Sequence, residues 1–269
     1  MNFKNCKTMT TVVITGSTRG LGFGLARRFL DRGCSVLING SNDSGVRRAL
    51  EQLTAYGERV HGVAADISSR ADVERLSREA LERFGAIDIW VNNAGISHPH
   101  QMAWELDADS VQRVLGVNIL GVVNGTVVPF RAMQGRGKGK IFSMEGHGSN
   151  GFIIDGMAIY GTSKSAVHYF VKAFAHEAKR SGITVGALSP GMVVTDMLLE
   201  TVREESEESR KRKQLFNKLA DDVETVSDFL VEGMLGASGP FVRIQWLTRK
   251  RALFRMLFGR FRNRDFFRQ

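Results

Sequence analysis

The fold is decided near the start of the chain by Thr15-Gly16-Ser17-Thr18-Arg19-Gly20-Leu21-Gly22, which follows the apolar run Val12-Val13-Ile14. A β-branched apolar run of this kind predicts a buried strand, and the apolar spacing over residues 21–30 predicts a helix. Glycines between the two elements allow a tight turn and let a phosphate approach the helix N-terminus, where N–H groups and the helix dipole favour anions. Alone, the glycine pattern also fits a purely structural turn.

The alternation of strand and helix continues along the chain. Further strands are predicted at residues 35–39, 60–64, 87–91, 140–144 and 184–188. Further helices are predicted at residues 46–56, 71–84, 111–131 and 158–180. Nearly all-apolar strands separated by helices indicate a parallel sheet that is buried on both faces. We therefore predict an α/β fold with a doubly wound, Rossmann-type parallel sheet.

The composition is that of a globular chain. Of 269 residues, 43% are hydrophobic and 24% are charged, and 29 glycines accompany four prolines. These values exclude a collagen, a coiled coil and a disordered tail protein. The longest apolar stretch without a charge, residues 114–130, is short for a membrane span and contains Asn118, Asn124 and Pro129. We predict that it forms a buried helix.

Cysteine and histidine usage narrows the class further. Cys6 and Cys34 have no CxxC spacing, which favours a reducing compartment over a disulfide scaffold or a zinc module. The six histidines show no metal-ligand spacing on one helix face, so no metal site is predicted. The N-terminal segment has no signal or transit pattern, and we expect a cytoplasmic location or an already processed chain.

The positive charge is concentrated at the C-terminus. The net charge is +9, and residues 240–269 contain nine basic side chains against one acid, Asp265. The nearly neutral remainder excludes a nucleic-acid-binding body. We therefore divide the chain into a catalytic domain at residues 1–239, which includes a lid segment at 196–220, and a basic, aromatic C-terminal extension at 240–269.

The C-terminal extension contains an amphipathic helical pattern over residues 246–261. Its apolar face comprises Leu253, Phe254, Leu257, Phe258 and Phe261, and the opposite face comprises Arg251, Arg255 and Arg262. This pattern is typical of a helix that rests on an anionic membrane surface. It fits equally well a helix whose apolar face packs on the domain or on a second subunit while its arginines are solvated. Both interpretations remain open at this point.

Three further motifs carry chemistry. Asn92-Asn93-Ala94-Gly95 ends the fourth strand, and Asn118 lies in the long helix. Tyr160 and Lys164 are spaced i, i+4, which places both side chains on one helix face. We expect the ammonium to lower the phenol pKa, so that Tyr160 exchanges protons near neutral pH. Pro190-Gly191-Met192-Val193-Val194-Thr195 follows the sixth strand.

In this order and over essentially the whole chain, the motifs resemble those of the short-chain dehydrogenase/reductase family. The resemblance implies that Tyr160 protonates a carbonyl oxygen while a nicotinamide delivers hydride. It also implies that Lys164 binds the ribose hydroxyls and that Asn118 holds a water that relays protons to Lys164. The cofactor residues that it implies are Gly16, Ser17, Thr18, Arg19, Gly20, Leu21, Gly22, Ser41, Asp66, Ile67, Asn93, Ala94, Gly95, Tyr160, Lys164, Pro190, Gly191, Val193 and Thr195.

Some of these cofactor roles are specific. By resemblance, Val193 and Thr195 hold the nicotinamide carboxamide, and Asp66-Ile67 contacts the adenine. The second strand ends in Asn39-Gly40-Ser41 without the acid that usually accepts the 2′-hydroxyl of NAD. Arg19 stands where NADP enzymes of the family carry a cation for the 2′-phosphate. We therefore predict NADPH as cofactor, although Arg19 also fits a solvated loop residue.

The chain departs from the family at the catalytic serine. The family places this serine about thirteen residues before the tyrosine, and here that count reaches His147. Matching the fifth strand instead puts Glu145 and Gly146 where a pair of serines usually stands. We predict Ser149 as the residue that orients the substrate carbonyl, with His147 as a competitor for this role.

Within the family, two segments are similar to the chlorophyll b reductase branch. One is Glu145-Gly146-His147-Gly148-Ser149, with an eleven-residue step from the serine to Tyr160. The other is the basic, aromatic ending at residues 258–264. This resemblance implies NADPH-dependent reduction of the 7-formyl group of chlorophyll(ide) b, and a thylakoid location if the chain is a processed plant protein.

Other interpretations remain open. The substrate could instead be a steroid, quinone or acyl ketone, and the missing serine keeps a non-catalytic NADPH-binding protein in consideration. By family resemblance, the helices predicted at 111–131 and 158–180 are where a homodimer or homotetramer would form.

Overall fold

A seven-stranded parallel sheet organises the protein, for which a computed structural model describes residues 9–200, 202, 207–258 and 266–267. The strands are β1 (Thr11–Ile14), β2 (Ser35–Gly40), β3 (Val60–Ala64), β4 (Ile89–Asn92), β5 (Gly139–Met144), β6 (Ile183–Ser189) and β7 (Phe241–Gln245). They pair in the order 3-2-1-4-5-6-7, which confirms the predicted Rossmann-type sheet.

Ten helices accompany the sheet within the described residues. They are α1 (Gly20–Asp31), α2 (Asp43–Glu51), α3 (Arg70–Phe84), α4 (Ala108–Leu115), α5 (Gly121–Gln134), α6 (Ala158–Glu177), α7 (Asp196–Glu200), α8 (Glu207–Leu219), α9 (Val223–Gly236) and α10 (Arg249–Phe258). Residues 201 and 203–206 of the predicted lid segment, and residues 259–265 of the predicted extension, lie outside the described residues, as does Cys6.

Side-chain alternation along the strands builds a core on each face of the sheet. Val12 and Phe142 belong to the core that includes Leu25 of α1 and Leu230 of α9. Val13 points the other way, into a core shared with α3 and α5. Because successive strand residues face opposite sides, both layers of helices are held by apolar burial, and the carboxyl ends of the strands are left for the site.

Two predicted helices differ from the observed ones. The helix predicted at 111–131 consists of α4, a π-helical turn at Gly116–Leu120 and α5. The helix predicted at 46–56 ends earlier, since α2 stops at Glu51 and the following 3-10 segment is broken at Gly57, whose φ is +55°. In both cases the apolar spacing indicated a helix but did not register the interruption.

The helical run Ala108–Gln134 is long and apolar enough to cross a membrane, with a mean hydropathy of 1.4. Its residues Val128 and Met133 are buried in the core beneath the sheet, and Asn118 within it is fully buried and hydrogen-bonded. We interpret the run as a core helix, as the sequence predicted.

The predicted boundary at residues 239/240 needs correction. Residues Phe241–Gln245, assigned to the C-terminal extension, form β7, which pairs in parallel with β6 and closes one edge of the sheet. The strand escaped prediction because only Ile244 in it is buried and Arg243 interrupts its apolar pattern. The extension therefore begins after a strand of the main sheet.

Candidate active site

Backbone packing shapes the glycine-rich turn after β1. Gly16 and Gly20 have φ values of +60° and +56°, in the left-handed region that favours glycine. A Cβ on Gly22 would lie 2.4 Å from both Asn93 Nδ2 and the Gly16 carbonyl oxygen. The turn therefore admits no larger residue at Gly22, and it lies directly against the end of β4.

The N-terminus of α1 has no side-chain cap. Its N-cap residue, Arg19, makes no capping hydrogen bond, and the first turn contains no acid. The caps of α2, α3, α4 and α9 differ, because a side chain accepts a backbone N–H bond in each: Asn42, Ser69, Asp107 and Asp222. An uncapped N-terminus beside a glycine turn fits the diphosphate of a dinucleotide.

The glycine turn that carries Arg19 packs against the end of β2, which precedes Ser41. A Cβ on Gly40 would lie 2.6 Å from Thr18 Cγ2, so the turn after β1 touches the end of β2. The Arg19 guanidinium lies 3.6 Å from the Asp196 carboxylate, and both side chains are well exposed. Because an exposed ion pair is worth little, Arg19 can turn to another anion at small cost.

Asn93 and Ala94 join the loop after β4 to the glycine turn. Asn93 Nδ2 donates to the carbonyls of Thr15 and Gly16 at 3.0 and 2.9 Å. The backbone N–H groups of Asn93 and Ala94 both donate to Thr15 Oγ1 at 3.1 Å. The two loops predicted to face the cofactor therefore form one rigid unit.

Two further predicted cofactor contacts follow β3. The exposed Asp66 carboxylate accepts hydrogen bonds from the N–H and hydroxyl of Ser68, which shapes this loop. Ile67 is buried, and it packs so closely on α5 that a Cβ on Gly121 would overlap its Cδ1. Its side chain therefore acts mainly in packing.

The segment after β6 returns to the glycine turn. Pro190 and Gly191 follow the strand, and Gly191 has a φ of +73°. Val193 is buried, while the Thr195 side chain lies 3.6 Å from where a Cβ on Gly20 would stand. Every predicted cofactor residue therefore lies on a loop at the carboxyl edge of the sheet or at the start of α1 or α6, and the set fits a nicotinamide dinucleotide.

Lys164 and Asn118 meet beside Gly95, and Tyr160 lies next to them. A Cβ on Gly95 would be 3.3 Å from both Lys164 Nζ and Asn118 Oδ1. Lys164 Nζ lies 5.8 Å from the centroid of the Tyr160 ring. The structure thus brings together three of the four predicted catalytic residues, from α6 and from the π-helical turn.

The π-helical turn holds Asn118 firmly. Asn118 Oδ1 accepts from the Ile96 N–H, and its Nδ2 donates to the Ile96 carbonyl, both at 2.9 Å. Nδ2 also donates to Ser163 Oγ at 3.0 Å, and Ser163 in turn donates to the Tyr160 carbonyl. Such turns recur at functional sites, and here the turn ties Asn118 to the start of α6.

Burial sets the proton affinities at the site. Burial raises the pKa of Tyr160 to about 12 and lowers the pKa of Lys164 to about 8. The prediction that Lys164 lowers the phenol pKa was wrong for this structure, because desolvation opposes the charged form of both groups. At neutral pH the phenol carries its proton, which is the form that a proton donor needs.

Gly146 is one of the two positions at which matching the fifth strand predicts a family serine, and it packs against Tyr160. A Cβ on Gly146 would lie 2.8 Å from the Tyr160 hydroxyl and 3.2 Å from two Lys164 methylene carbons. Any side chain there would displace Tyr160. If the register of the fifth strand is the right one, the hydroxyl expected from the family is absent here, and the Tyr160 hydroxyl lies against the Gly146 backbone.

Ser149 is engaged within the protein. Its hydroxyl donates to the Lys164 carbonyl at 3.1 Å and accepts from the Gly146 N–H at 3.2 Å. A hydroxyl has one proton to donate, so orienting a substrate carbonyl would require this bond to α6 to break. The role of Ser149 as carbonyl orienter stays a prediction, and its observed contacts fix the loop to α6.

His147 is the competing candidate. Its half-buried ring packs edge-on against Phe152 with centroids 6.0 Å apart, and burial lowers its pKa. Among the described residues, none is hydrogen-bonded to the His147 ring nitrogens. A neutral imidazole in this loop retains an N–H donor for a ligand, which Ser149 does not in this arrangement.

The buried Glu145 carboxylate connects the loop after β5 to two other elements. The sequence placed an acid at this position but did not indicate its partners. The Glu145 side chain is 2% exposed; it lies 2.6 Å from His168 Nδ1 and receives two bonds from Arg243, at 2.8 and 3.0 Å. His168 is one turn beyond Lys164 on α6, and Arg243 is on β7. Glu145 thus joins the loop after β5 to α6 and to the edge strand β7.

Exposed apolar side chains lie on the two loops that contact the start of α6, and we call this set the apolar rim. They come from the loop after β4 and from the loop between β5 and α6: Met102, Trp104, Phe152, Ile153 and Ile154. The two loops touch, since a Cβ on Gly156 would be 2.7 Å from His100 Nδ1. Large apolar groups exposed beside polar catalytic residues are typical of a site for a bulky apolar ligand.

The fold and this constellation define a class. Residues 10–206 match the short chain dehydrogenase family, and the chain belongs to the short-chain dehydrogenase/reductase family. A solved 3-ketoacyl-(acyl-carrier-protein) reductase from Brucella melitensis, complexed with NADH, is 27% identical with a TM-score of 0.77. That superposition covers 88% of this chain and 96% of the other.

Within this family, the chain is similar to two chlorophyll(ide) b reductases. The probable chlorophyll(ide) b reductase NYC1 of Oryza sativa subsp. japonica is 33% identical over 90% of this chain and 50% of its own length. The chlorophyll(ide) b reductase NOL of Arabidopsis thaliana is 33% identical over 85% of this chain and 66% of its own length. The chain thus spans about half to two thirds of these relatives.

Proposed function

We propose that this protein is an NADPH-dependent carbonyl reductase in which Tyr160 is the proton donor. The observation that carries the proposal is the convergence of the Tyr160 hydroxyl, Lys164 Nζ and Asn118 Oδ1 around Gly95 and Gly146. Retention of these three groups in one place argues against a protein that only binds a nucleotide. When bound, a nicotinamide cofactor would supply the hydride.

The residues of the chain divide the remaining work. Tyr160 transfers its phenolic proton to the carbonyl oxygen as negative charge develops there, and the product is an alcohol. Lys164, still largely protonated at neutral pH, stabilises the resulting phenolate and holds ribose hydroxyls. Asn118 fixes the start of α6 through Ser163 and supplies an acceptor beside Lys164 for a proton-relaying water.

NADPH rather than NADH is favoured by charge. The end of β2 offers Asn39, Gly40 and Ser41, and none of these three residues is an acid that would repel a 2′-phosphate. The Arg19 guanidinium has an exposed contact to Asp196, so it can turn to another anion. A guanidinium recognises phosphate through charge-assisted hydrogen bonds.

The substrate that we propose is the 7-formyl group of chlorophyll b or of its phytol-free form. Support comes from relatives named chlorophyll(ide) b reductases at 33% identity, from the similarity of residues 145–149 to that branch, and from the exposed Trp104 and Phe152 of the apolar rim. A planar macrocycle has a large apolar surface to bury against such a rim. Hydride on the formyl carbon and the Tyr160 proton on its oxygen give the 7-hydroxymethyl product.

The experiment is chromatography of pigment incubated with the purified protein and NADPH. We expect the 7-hydroxymethyl product from chlorophyll b or chlorophyllide b, and none when Tyr160→Phe replaces the wild type. The same protein is assayed in parallel with a steroid, a quinone and an acyl ketone. No product from either pigment, together with fast reduction of another carbonyl, would refute the pigment assignment and leave the reductase assignment intact.

A second substrate class has a specific observation in its favour. A 3beta-hydroxysteroid dehydrogenase of Eggerthella lenta is 34% identical over 70% of this chain and 72% of its own length. A steroid is also large, rigid and apolar, so the apolar rim does not distinguish a steroid substrate from a chlorophyll substrate. The substrate panel above decides between them.

We also propose a homo-oligomer. Its support is that the helices predicted to associate expose apolar side chains, Leu120 in the π-helical turn and Tyr169 on α6. Size-exclusion chromatography with light scattering gives the mass directly, and a monomer at micromolar concentration would contradict it.

A further inference from the structure

Helix α10 is oriented the opposite way from an ordinary surface helix. Its side chains Leu253, Phe254, Leu257 and Phe258 are 63%, 62%, 66% and 49% exposed. We call these four side chains the apolar face of α10. Surface helices of soluble proteins turn their apolar face to the core and their charges to water. Here the apolar face points to solvent.

An arginine anchors the inward face of the helix. Arg255 donates to Asp221 Oδ2 at 2.5 Å and to the Leu219 carbonyl at 2.9 Å. The two paired side chains are only 8% and 1% exposed, and the Trp246 indole donates to the same carboxylate oxygen. Rotating α10 to bury its apolar face would leave Asp221 as a buried charge without this cation, which is costly.

A second arginine holds the start of the helix. The Arg251 guanidinium lies 4.0 Å from the centroid of the Trp246 ring, and its Nη1 donates to the Trp246 carbonyl. The interpretation in which the apolar face packs on the domain while the arginines are solvated therefore does not fit the structure. The polar contacts fix the helix, and the apolar face remains uncovered by the described residues.

Charge indicates what covers this face. Within α10, Arg249, Lys250, Arg251 and Arg255 are basic and no residue is acidic. Neighbouring α8 adds Arg210, Lys211, Arg212 and Lys213, of which Lys211 is paired with Glu207 at 2.8 Å. A second copy seated on this face would bring two such basic helices together, and like charges oppose that contact. An anionic lipid surface satisfies both the apolar face and the cations.

We infer that α10 is a membrane-docking helix that rests on anionic lipid, with Leu253, Phe254, Leu257 and Phe258 inserted below the headgroups and Arg249 and Lys250 at the phosphates. Docking places the protein peripherally on the membrane, without a spanning segment from α10. The inference does not depend on the proposed reductase activity.

The test is co-sedimentation of the full-length protein with vesicles of phosphatidylcholine alone or mixed with phosphatidylglycerol. The wild type should bind the mixed vesicles, and added salt should weaken binding. Phe254→Ser combined with Leu257→Ser should reduce binding at least about tenfold, because two apolar side chains no longer leave water. Leu81→Ser on α3 is the matched control and should bind as the wild type does.

A second double variant tests the contribution of the basic side chains of α10 to vesicle binding. Arg249→Gln combined with Lys250→Gln should weaken binding to the mixed vesicles and make the remaining binding less sensitive to salt. Since all four substituted side chains are exposed, the melting temperature should not change in either double variant.

Two results would overturn the inference. One is equal vesicle binding by Phe254→Ser/Leu257→Ser and by Leu81→Ser. The other is a lower molecular mass and melting temperature in Phe254→Ser/Leu257→Ser, with vesicle binding unchanged, which would show that the apolar face packs against a second copy.

Discussion

The turn after β1 and the loop after β5 are both rich in glycine and both end at the same edge of the sheet, yet they are held in different ways. In the first, a Cβ on Gly22 would meet backbone atoms of Gly16 and Ser17 at 2.4 and 2.9 Å. In the second, Glu145 reaches His168, 23 residues away, and Arg243, 98 residues away. At Gly22 the closest obstacles include the backbone of the turn itself, whereas the loop after β5 is also linked to distant elements through the buried Glu145 carboxylate.

Matched substitutions to alanine should expose this difference, and they carry the largest expected effects on NADPH affinity. In Gly22→Ala the new Cβ would overlap backbone atoms of the turn that cannot move aside. We expect this overpacking to distort the turn at a cost of about 3 kcal/mol. We expect a loss of NADPH affinity of about a hundredfold or more in fluorescence titration. Gly146→Ala meets the Tyr160 hydroxyl and Lys164 methylenes, which can move.

The Gly146→Ala protein should therefore fold and bind NADPH, but with kcat reduced more than the affinity for NADPH because Tyr160 is displaced. Equal losses of NADPH affinity in the two variants would contradict the distinction between a turn held by its backbone and a loop held by side chains.

The next largest effect is on the free energy of unfolding, through the buried Glu145 carboxylate in the loop after β5. Arg243→Ala should lower the free energy of unfolding by about 3 kcal/mol, because Glu145 remains buried and keeps only His168 as partner. Glu145→Gln should cost less, since Arg243 and His168 are partly exposed and can turn to water. Urea unfolding measures both. A larger loss for Glu145→Gln would reverse the argument.

The sequence predicted which elements carry the cofactor-side residues, because the determinants of those elements are local. Gly16, Gly20 and Gly22 are adjacent, and Tyr160 and Lys164 are one turn apart. The substrate side could not be predicted to the same depth. Glu145 was visible as an unexpected acid, but nothing in the sequence connects it to Arg243 on a strand that the pattern did not reveal.

The C-terminal helix shows the same limit. Its amphipathic pattern was plain, whereas the inward position of Arg255 depends on Asp221, whose own position is set by tertiary packing. Spacing predicts which residues share a face, and only long-range contacts decide where that face points.

A pH experiment addresses Lys164, which adjoins both regions. Its pKa is lowered to about 8 in the folded protein, below the ordinary value of 10.5. Between these values the unfolded chain binds more protons, so this group makes the free energy of unfolding rise with pH, by up to about 3 kcal/mol. Below pH 8 the rise is absent.

The difference in unfolding free energy between wild type and Lys164→Met isolates this contribution from other titrating groups. The wild type should gain on the variant as pH increases from about 7 to 9.5. A difference that stays flat over this range would show that the ammonium is not desolvated.

The smallest expected effect belongs to Arg19 on the cofactor side. Arg19→Ala should weaken NADPH binding by about 1.5–3 kcal/mol, the range for a hydrogen bond to a charged group. NADH binding should change little, because NADH has no 2′-phosphate. Titration of the variant with NADPH and with NADH measures both affinities. Equal losses of affinity for the two cofactors would show that Arg19 shapes the loop and does not bind the 2′-phosphate.

The central claim is that Tyr160 supplies the proton for carbonyl reduction, and the Tyr160→Phe variant tests it most directly. The rate at which the carbonyl substrate is reduced and the affinity for NADPH are measured on the same preparation. The account predicts a fall in turnover of roughly a thousandfold with NADPH affinity nearly unchanged, since only the general acid is removed. Turnover equal to that of the wild type would contradict it.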